Sequence, residues 1–257
     1  MLTLLSFIDL TSLNSTDTID TIKTLCSKAV TTHGSVAAVC VYPQFVTHAA
    51  DFLKNTPVKI ATVANFPSGN EPIETVLDTI QQAIKNGAQE IDVVFPYQKY
   101  LKGEKQFAID FIRQCKKSCV IPSYACDLPV SRRSFGVKST PLDDKPVLLK
   151  VILETGAFPD KKSLASACED VIKAGADFLK TSTGKIAIGA TLESAEVLLN
   201  AIQKSGKPIG LKVSGGIKTI EQATQYLTLT QQIMGQNWAS LTTFRLGASQ
   251  LIDLIIK

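Results

Sequence analysis

Three stretches of the chain end in the same way. "AIKNGAQEIDVV" (83–94), "VIKAGADFLKTS" (171–182) and "AIQKSGKPIGLKV" (201–213) each run from a helical pattern through a glycine into a β-rich run. A junction repeated in this form marks one supersecondary unit used many times over, not a string of separate domains. Eight β-rich runs follow from it, at 4–10, 36–43, 59–67, 90–97, 147–156, 177–184, 209–216 and 244–249. They are apolar on both faces, as strands of a parallel sheet covered by helices must be. Between them the period changes. After Pro72, the residues Ile73, Val76, Leu77, Ile80 and Ile84 recur at helical spacing, with Pro72 suited to a first turn and Gly87 to the position past the end. Eight βα units predict an α/β fold, a single-domain (β/α)8 TIM barrel over 1–257. A doubly wound open sheet is the competing architecture, but its G-x-G-x-x-G fingerprint is missing after the first strand.

Length and composition narrow the function. A chain of 257 residues, 45% hydrophobic, is long enough to bury one large core. The net charge of +4 is mild, and no block of five or more basic residues occurs. Neither nucleic acid nor a membrane surface is therefore an expected partner, whereas a small phosphorylated ligand is compatible. No apolar run reaches the length of a membrane span. The opening "MLTLLSFIDL" has no basic n-region and carries Asp9, which argues against a secretory signal. Six cysteines lie at uneven spacing, and the two histidines, His33 and His48, stand in no Cys-His pattern. Reduced thiols, a cytoplasmic location, no metal and no other cofactor are expected.

In a barrel the chemistry sits at the C-terminal ends of the strands and in the loops after them. The last three runs end in "KTSTGK", "KVSGG" and "RLGAS". Glycine lets backbone N–H groups approach an anion, and in this fold the loops after strands 7 and 8 often hold phosphate. Lys185 adds charge there. Alternation puts Lys180 with Ser182 on one face of its strand, and Lys212 with Ser214 on one face of the next. Lys150 shares a face with Ile152 and Glu154, and Asp92 with Val94. If these faces point inwards, three lysines and a carboxylate converge near the barrel mouth. One reading is a buried ion-pair network that holds the barrel; the other is a reactive lysine. A lysine attacks a carbonyl only when neutral, and a second cation nearby lowers its pKa. Lys180 and Lys212, on neighbouring strands, suit that arrangement. The imine so formed is an electron sink, and Asp92 with water is the obvious proton shuttle.

The segments "IDLTSLN", "VAAVCVYP", "EIDVVFPY", "LLKVILETG", "DFLKTSTGK", "GLKVSGG" and "FRLGAS" occur in order over nearly the whole chain. In this the sequence resembles the deoxyribose-phosphate aldolases, a family of class I aldolases, and "FLKTSTGK" is the most specific piece. The resemblance implies a lyase that cleaves 2-deoxy-D-ribose 5-phosphate to D-glyceraldehyde 3-phosphate and acetaldehyde in deoxynucleoside breakdown. It implies that Lys180 forms the Schiff base, Lys212 lowers its pKa and Asp92 is the acid–base residue. It implies that Thr183, Gly184, Lys185, Gly215, Gly216, Gly247 and Ser249 surround the phosphate, with Thr11 and Asn14 close to the substrate. Cys40 matches a cysteine near the family's site, although a cysteine in an apolar strand is usually a packed hydrophobe. Lys150 either touches a substrate hydroxyl or completes the charge network, and Asp9 does one or the other. The alternatives are another class I aldolase on the same barrel, or a barrel that binds a sugar phosphate without turnover.

Some positions depart from the family pattern. Ser214 stands where many relatives have alanine, and Gln250 where many have a second serine. The sequence ends at Lys257, without the longer tail and terminal tyrosine of some relatives, so proton transfer is expected to rest on Asp92 and water. The stretch at about 120–146 has, from Ile121 to Lys145, three prolines, an Arg132-Arg133 pair and no sustained period. It reads as an irregular insertion at the N-terminal face of the barrel, which either contacts a second subunit of a homo-oligomer, stays mobile, or has no role.

Overall fold

The computed structural model describes residues 4–120 and 146–256. Eight parallel strands close into a barrel: β1 (Ile8–Thr11), β2 (Ala38–Val41), β3 (Lys59–Ala64), β4 (Glu90–Val94), β5 (Leu148–Ile152), β6 (Phe178–Lys180), β7 (Gly210–Ser214) and β8 (Phe244–Ala248). They pair in sequence order, and closure comes from β1, where Asp9 lies opposite both Ala38 of β2 and Gly247 of β8. The expected TIM barrel is therefore the observed fold. The expected insertion at 121–145 lies outside the described residues.

The helices are α1 (Ile19–Lys28), α2 (Val46–Leu53), α3 (Ile73–Lys85), α4 (Tyr97–Leu101), α5 (Lys105–Ser118), α6 (Lys161–Ala174), α7 (Leu192–Ser205), α8 (Ile220–Met234) and α9 (Leu251–Ile255). Each longer helix turns one apolar stripe onto the barrel; in α3 the buried positions are Val76, Ile80, Ala83 and Ile84. Thr18, Thr191 and Thr219 cap α1, α7 and α8 through reciprocal side-chain bonds to the first turn, and Asp160 caps α6. The repeated helix–glycine–strand junction has a conformational cause. Gly87, Gly175 and Gly206 take φ of 106°, 104° and 62°, the left-handed region in which a side chain is strained. Such a residue stops the helix and turns the chain back towards the sheet.

All eight strands are shorter than the runs read from the sequence, and the first and sixth show why. Leu4–Phe7 forms a 3-10 turn before β1, with Leu5 and Phe7 buried. β6 ends at Lys180, and the polar residues after it form a loop. Burial of Leu5 and Phe7 makes the first stretch read as a strand, because periodicity cannot separate a turn that packs from a strand that packs. At the far end of the barrel from the β6–β8 loops, Val147 N–H donates to Cys119 O at 3.2 Å, so the chain re-enters the barrel where α5 left it. Among the described residues no helix is long and apolar enough to cross a membrane.

Candidate active site

The barrel interior is divided. Ala38 and Cys40 of β2, with Ala61 and Val63 of β3 and Leu13 above β1, form a small apolar cluster. Across from it lie seven buried charged side chains: Asp9, Glu90, Asp92, Lys150, Lys180, Lys212 and Arg245. Alternation along the strands aims all of them inwards.

Asp92 is the hub. Its Oδ2 accepts from Lys180 Nζ and from Lys212 Nζ, each at 2.7 Å, and its Oδ1 accepts from Lys150 Nζ at 3.0 Å. Lys150 also donates to Glu90. Asp9 Oδ2 lies 2.6 Å from Lys212 Nζ, an ion contact without hydrogen-bond alignment. Arg245 closes the network below, 2.7 Å from Asp9 and 2.8 Å from Glu90. Gly247 makes room for it: a Cβ there would stand 2.7 Å from Ser214 Cβ and 3.3 Å from Lys212 Cε.

Contacts separate the lysines. Asp9, Glu90 and Asp92 share their contacts unequally among three lysines and one arginine. Lys180 is the member with a single carboxylate contact, and it is the only one of the four that lines the cavity above. Burial pulls its pKa below the ordinary lysine value; the pull of Asp92 opposes this, and the Lys212 ammonium adds to it. Burial acts on Lys212 in the same sense, but Asp9 and Asp92 outweigh it and hold its pKa above the ordinary value. Burial would raise Asp92, yet the three lysines hold it well below the carboxylate range. Lys180 is thus the lysine poised to lose its proton, beside a fixed cation and an ionised carboxylate.

Above Lys180 opens a cavity of about 390 Å³ at the C-terminal ends of β1, β6, β7 and β8. Of the residues singled out in the sequence, Thr11, Asn14, Thr183, Gly184, Lys185, Gly215, Gly216, Gly247 and Ser249 line it with Lys180. Gly184, Gly215 and Gly216 take φ of 75°, 93° and 94°. Successive left-handed turns of this kind present backbone N–H groups to an anion. Lys185 reaches across the mouth, its Nζ donating to Leu13 O at 2.6 Å. Asp92 and Lys212 lie directly beneath, fully buried.

Cys40 and Lys150 sit elsewhere. Both are fully buried and neither lines the cavity. Lys150 belongs to the ion network, and burial pushes the Cys40 thiol upwards, away from a thiolate. Asp9 belongs to the network too. Ser214 donates its hydroxyl to Ser182 O, an added tie between the loops after β6 and β7. Glu90, Arg245 and Lys218 were not singled out from the sequence. Glu90 and Arg245 lie two residues before Asp92 and Gly247, so strand alternation carried the signal for both. Lys218 lines the cavity just after the glycine pair of β7.

The family model of the DeoC/LacD aldolases matches residues 3–236. The chain is 44% identical to a deoxyribose-phosphate aldolase of Agrobacterium fabrum, an alignment over 98% of this chain and 89% of that protein. Among solved structures, one described as a deoxyribose-phosphate aldolase of Coccidioides immitis superposes with a TM-score of 0.78 at 26% identity, over 98% of this chain and 85% of that one. A tetrameric deoxyribose phosphate aldolase of Aeropyrum pernix superposes with a TM-score of 0.73 at 22% identity, over 98% and 90% of the two chains.

Proposed function

Because this chain belongs to the DeoC/LacD family of aldolases, we propose that it reversibly cleaves 2-deoxy-D-ribose 5-phosphate to D-glyceraldehyde 3-phosphate and acetaldehyde through a Schiff base on Lys180. The relative from Agrobacterium fabrum supports the substrate. The observation that carries the mechanism is Lys180 itself, the cation of the buried network with a single ion-pair contact, 4% exposed and at the floor of a glycine-lined cavity.

The chemistry follows from that placement. The neutral amine of Lys180 adds to the aldehyde carbon, and loss of water gives a protonated imine. The imine draws electrons, so the bond between the second and third carbons breaks as the hydroxyl on the third carbon gives up its proton. That carbon leaves as the aldehyde of glyceraldehyde 3-phosphate, and the electron pair stays as an enamine on Lys180. A proton delivered to the enamine carbon, then water, releases acetaldehyde and the free amine. Asp92 Oδ2, bonded to Lys180 and Lys212 together, is the oxygen through which these protons pass. The phosphate is held by the loops of Gly184, Gly215 and Gly216, with Lys185 and Lys218 at the rim.

The expected partner is a small phosphorylated sugar, with no nucleic acid or membrane. Self-association accords with the tetramer of the Aeropyrum pernix relative. A cytoplasmic location accords with the five described cysteines, all of them free. Incubation with acetaldehyde and borohydride tests the mechanism. The trapped mass should fall on the peptide that contains Lys180, and Lys180→Ala should abolish both trapping and turnover. A label on Lys212 or Lys150 overturns the assignment, and tight binding of the sugar phosphate without trapping makes the chain a binder. Turnover with dihydroxyacetone phosphate in place of acetaldehyde makes it a different aldolase.

A further inference from the structure

Glu154 stands in a costly place. It follows β5 with φ 56° and ψ 60°, a left-handed backbone that only a minority of non-glycine residues adopt. Its side chain is fully buried. A strained backbone and a buried carboxylate persist together only where the surroundings fix them, and such positions cluster at functional sites.

What fixes Glu154 is one residue on the neighbouring loop. Oε1 accepts the Thr183 N–H at 3.2 Å, and Oε2 pairs with the Thr183 hydroxyl. Thr183 Oγ1 in turn accepts the Lys185 N–H at 3.0 Å. A hydroxyl has one proton and two lone pairs. With its proton on the Glu154 carboxylate and one lone pair on Lys185, Thr183 has a single lone pair left for the cavity that it lines. Its backbone N–H is likewise engaged. An anion needs donors, and Thr183 offers it none.

We propose that Glu154 is a positioning residue that fixes Thr183 as a hydrogen-bond acceptor, so that Thr183 recognises a hydroxyl of the substrate and not its phosphate. This gives Thr183 a different role from the phosphate contact that the family resemblance implies. It rests on the aldolase reading above, in which the phosphorylated aldehyde carries one hydroxyl beside its carbonyl. Burial holds the Glu154 carboxyl above its ordinary value, and the two Thr183 bonds and the charge of Lys180 limit that rise.

The test compares two acceptor aldehydes in aldol addition with acetaldehyde. One is D-glyceraldehyde 3-phosphate; the other is 3-oxopropyl phosphate, which lacks the hydroxyl. The readout is the ratio of their kcat/KM values, with inhibition by inorganic phosphate measured alongside. In the parent, the hydroxylated acceptor should be preferred. Thr183→Val should cut the ratio about tenfold, the value of one hydrogen bond to an engaged group. Glu154→Gln should turn Thr183 into a donor, because its amide can donate to Oγ1 and release the threonine proton into the cavity, so inhibition by inorganic phosphate should strengthen about threefold or more, the value of part of one hydrogen bond. Thr183→Ser should keep the ratio. Phosphate inhibition should move less than about threefold in the two Thr183 variants. A Thr183→Val enzyme that keeps the ratio but loses phosphate inhibition overturns the proposal. So does a folded Glu154→Gln enzyme whose phosphate inhibition stays at the parent value. If Glu154→Gln does not fold, Thr183→Val against Thr183→Ser decides alone. A parent enzyme that forms no imine with acetaldehyde fails a different claim, the aldolase reading itself.

Discussion

Lys180 and Lys212 share one acceptor: their ammonium nitrogens each lie 2.7 Å from Oδ2 of Asp92. The two nitrogens therefore stand no more than about twice that distance apart, and both side chains are buried. The shared oxygen holds two like charges together, and environment divides their roles. Lys212 has a second carboxylate in Asp9, whereas Lys180 has none. The lysine with more counter-charge keeps its proton, and the lysine at the cavity is free to give it up.

That division predicts a shifted pH profile. Lys212→Leu removes the neighbouring cation and leaves Asp92 Oδ2 to Lys180. Both changes favour protonated Lys180, so its pKa should rise. Because the free amine is the reactive form, the acid limb of kcat/KM against pH should move to higher pH, by about 1 unit or more. A folded Lys212→Leu enzyme with weakened activity but an unmoved limb would show that Lys212 acts in proton transfer instead.

A second prediction concerns stability. Lys180 has a folded pKa below the ordinary value of about 10.4 that it regains on unfolding. Between the two values the unfolded chain binds more protons, so stability rises with pH through that window. Below it the buried ammonium is a net cost. Lys180→Met should therefore stabilise the fold at pH 7, by about 1 kcal/mol or more, while abolishing turnover. The gain should shrink by pH 10. Urea unfolding at the two pH values measures it, and a loss of stability at pH 7 would contradict the charge assignment.

Asp92→Asn should act in the opposite sense. Lys180, Lys150 and Lys212 would each lose a carboxylate contact in a buried site, at a cost of about 3–5 kcal/mol of stability. An amide cannot take up the proton, so turnover should fall about 10²–10⁴-fold in the enzyme that remains folded. Single-turnover rates on folded protein separate the two effects.

Gly247→Ala tests the steric frame. The added methyl meets Ser214 Cβ at 2.7 Å and Lys212 Cε at 3.3 Å, so either β7 yields or Lys212 moves. Overpacking of this kind costs about 1–3 kcal/mol. If Lys212 is the part that moves, the acid limb of the pH profile should shift in the same direction as in Lys212→Leu, a coupling that calorimetry alone would not reveal.

Much of this site was legible in the sequence because a strand has period two. Lys180, Lys212, Lys150 and Asp92 interrupt apolar runs at positions that a barrel turns inwards, and the glycine loops after β6 and β7 mark the mouth. Glu90 and Arg245 carried the same signal but lie nearer the N-terminal ends of their strands, where attention to the mouth passes over them. The left-handed backbone of Glu154 had no signal at all. No rule of spacing puts a glutamate where glycine is favoured; only its bonds to a loop 29 residues away explain it. The run at 4–10 misled for a different reason, since Leu5 and Phe7 are as buried in a turn as they would be in a strand.

The bond from Val147 to Cys119 separates two kinds of evolutionary freedom. It holds Cys119 and Val147 together at one seam, on the face away from Lys180. Chain added at such a seam leaves the register of β4 and β5 untouched, and each doubling of its length costs only about 0.6 kcal/mol in closure entropy. A reporter or affinity module joined to the chain between Cys119 and Val147 would therefore enter and leave at a single point, remote from the lysine cluster.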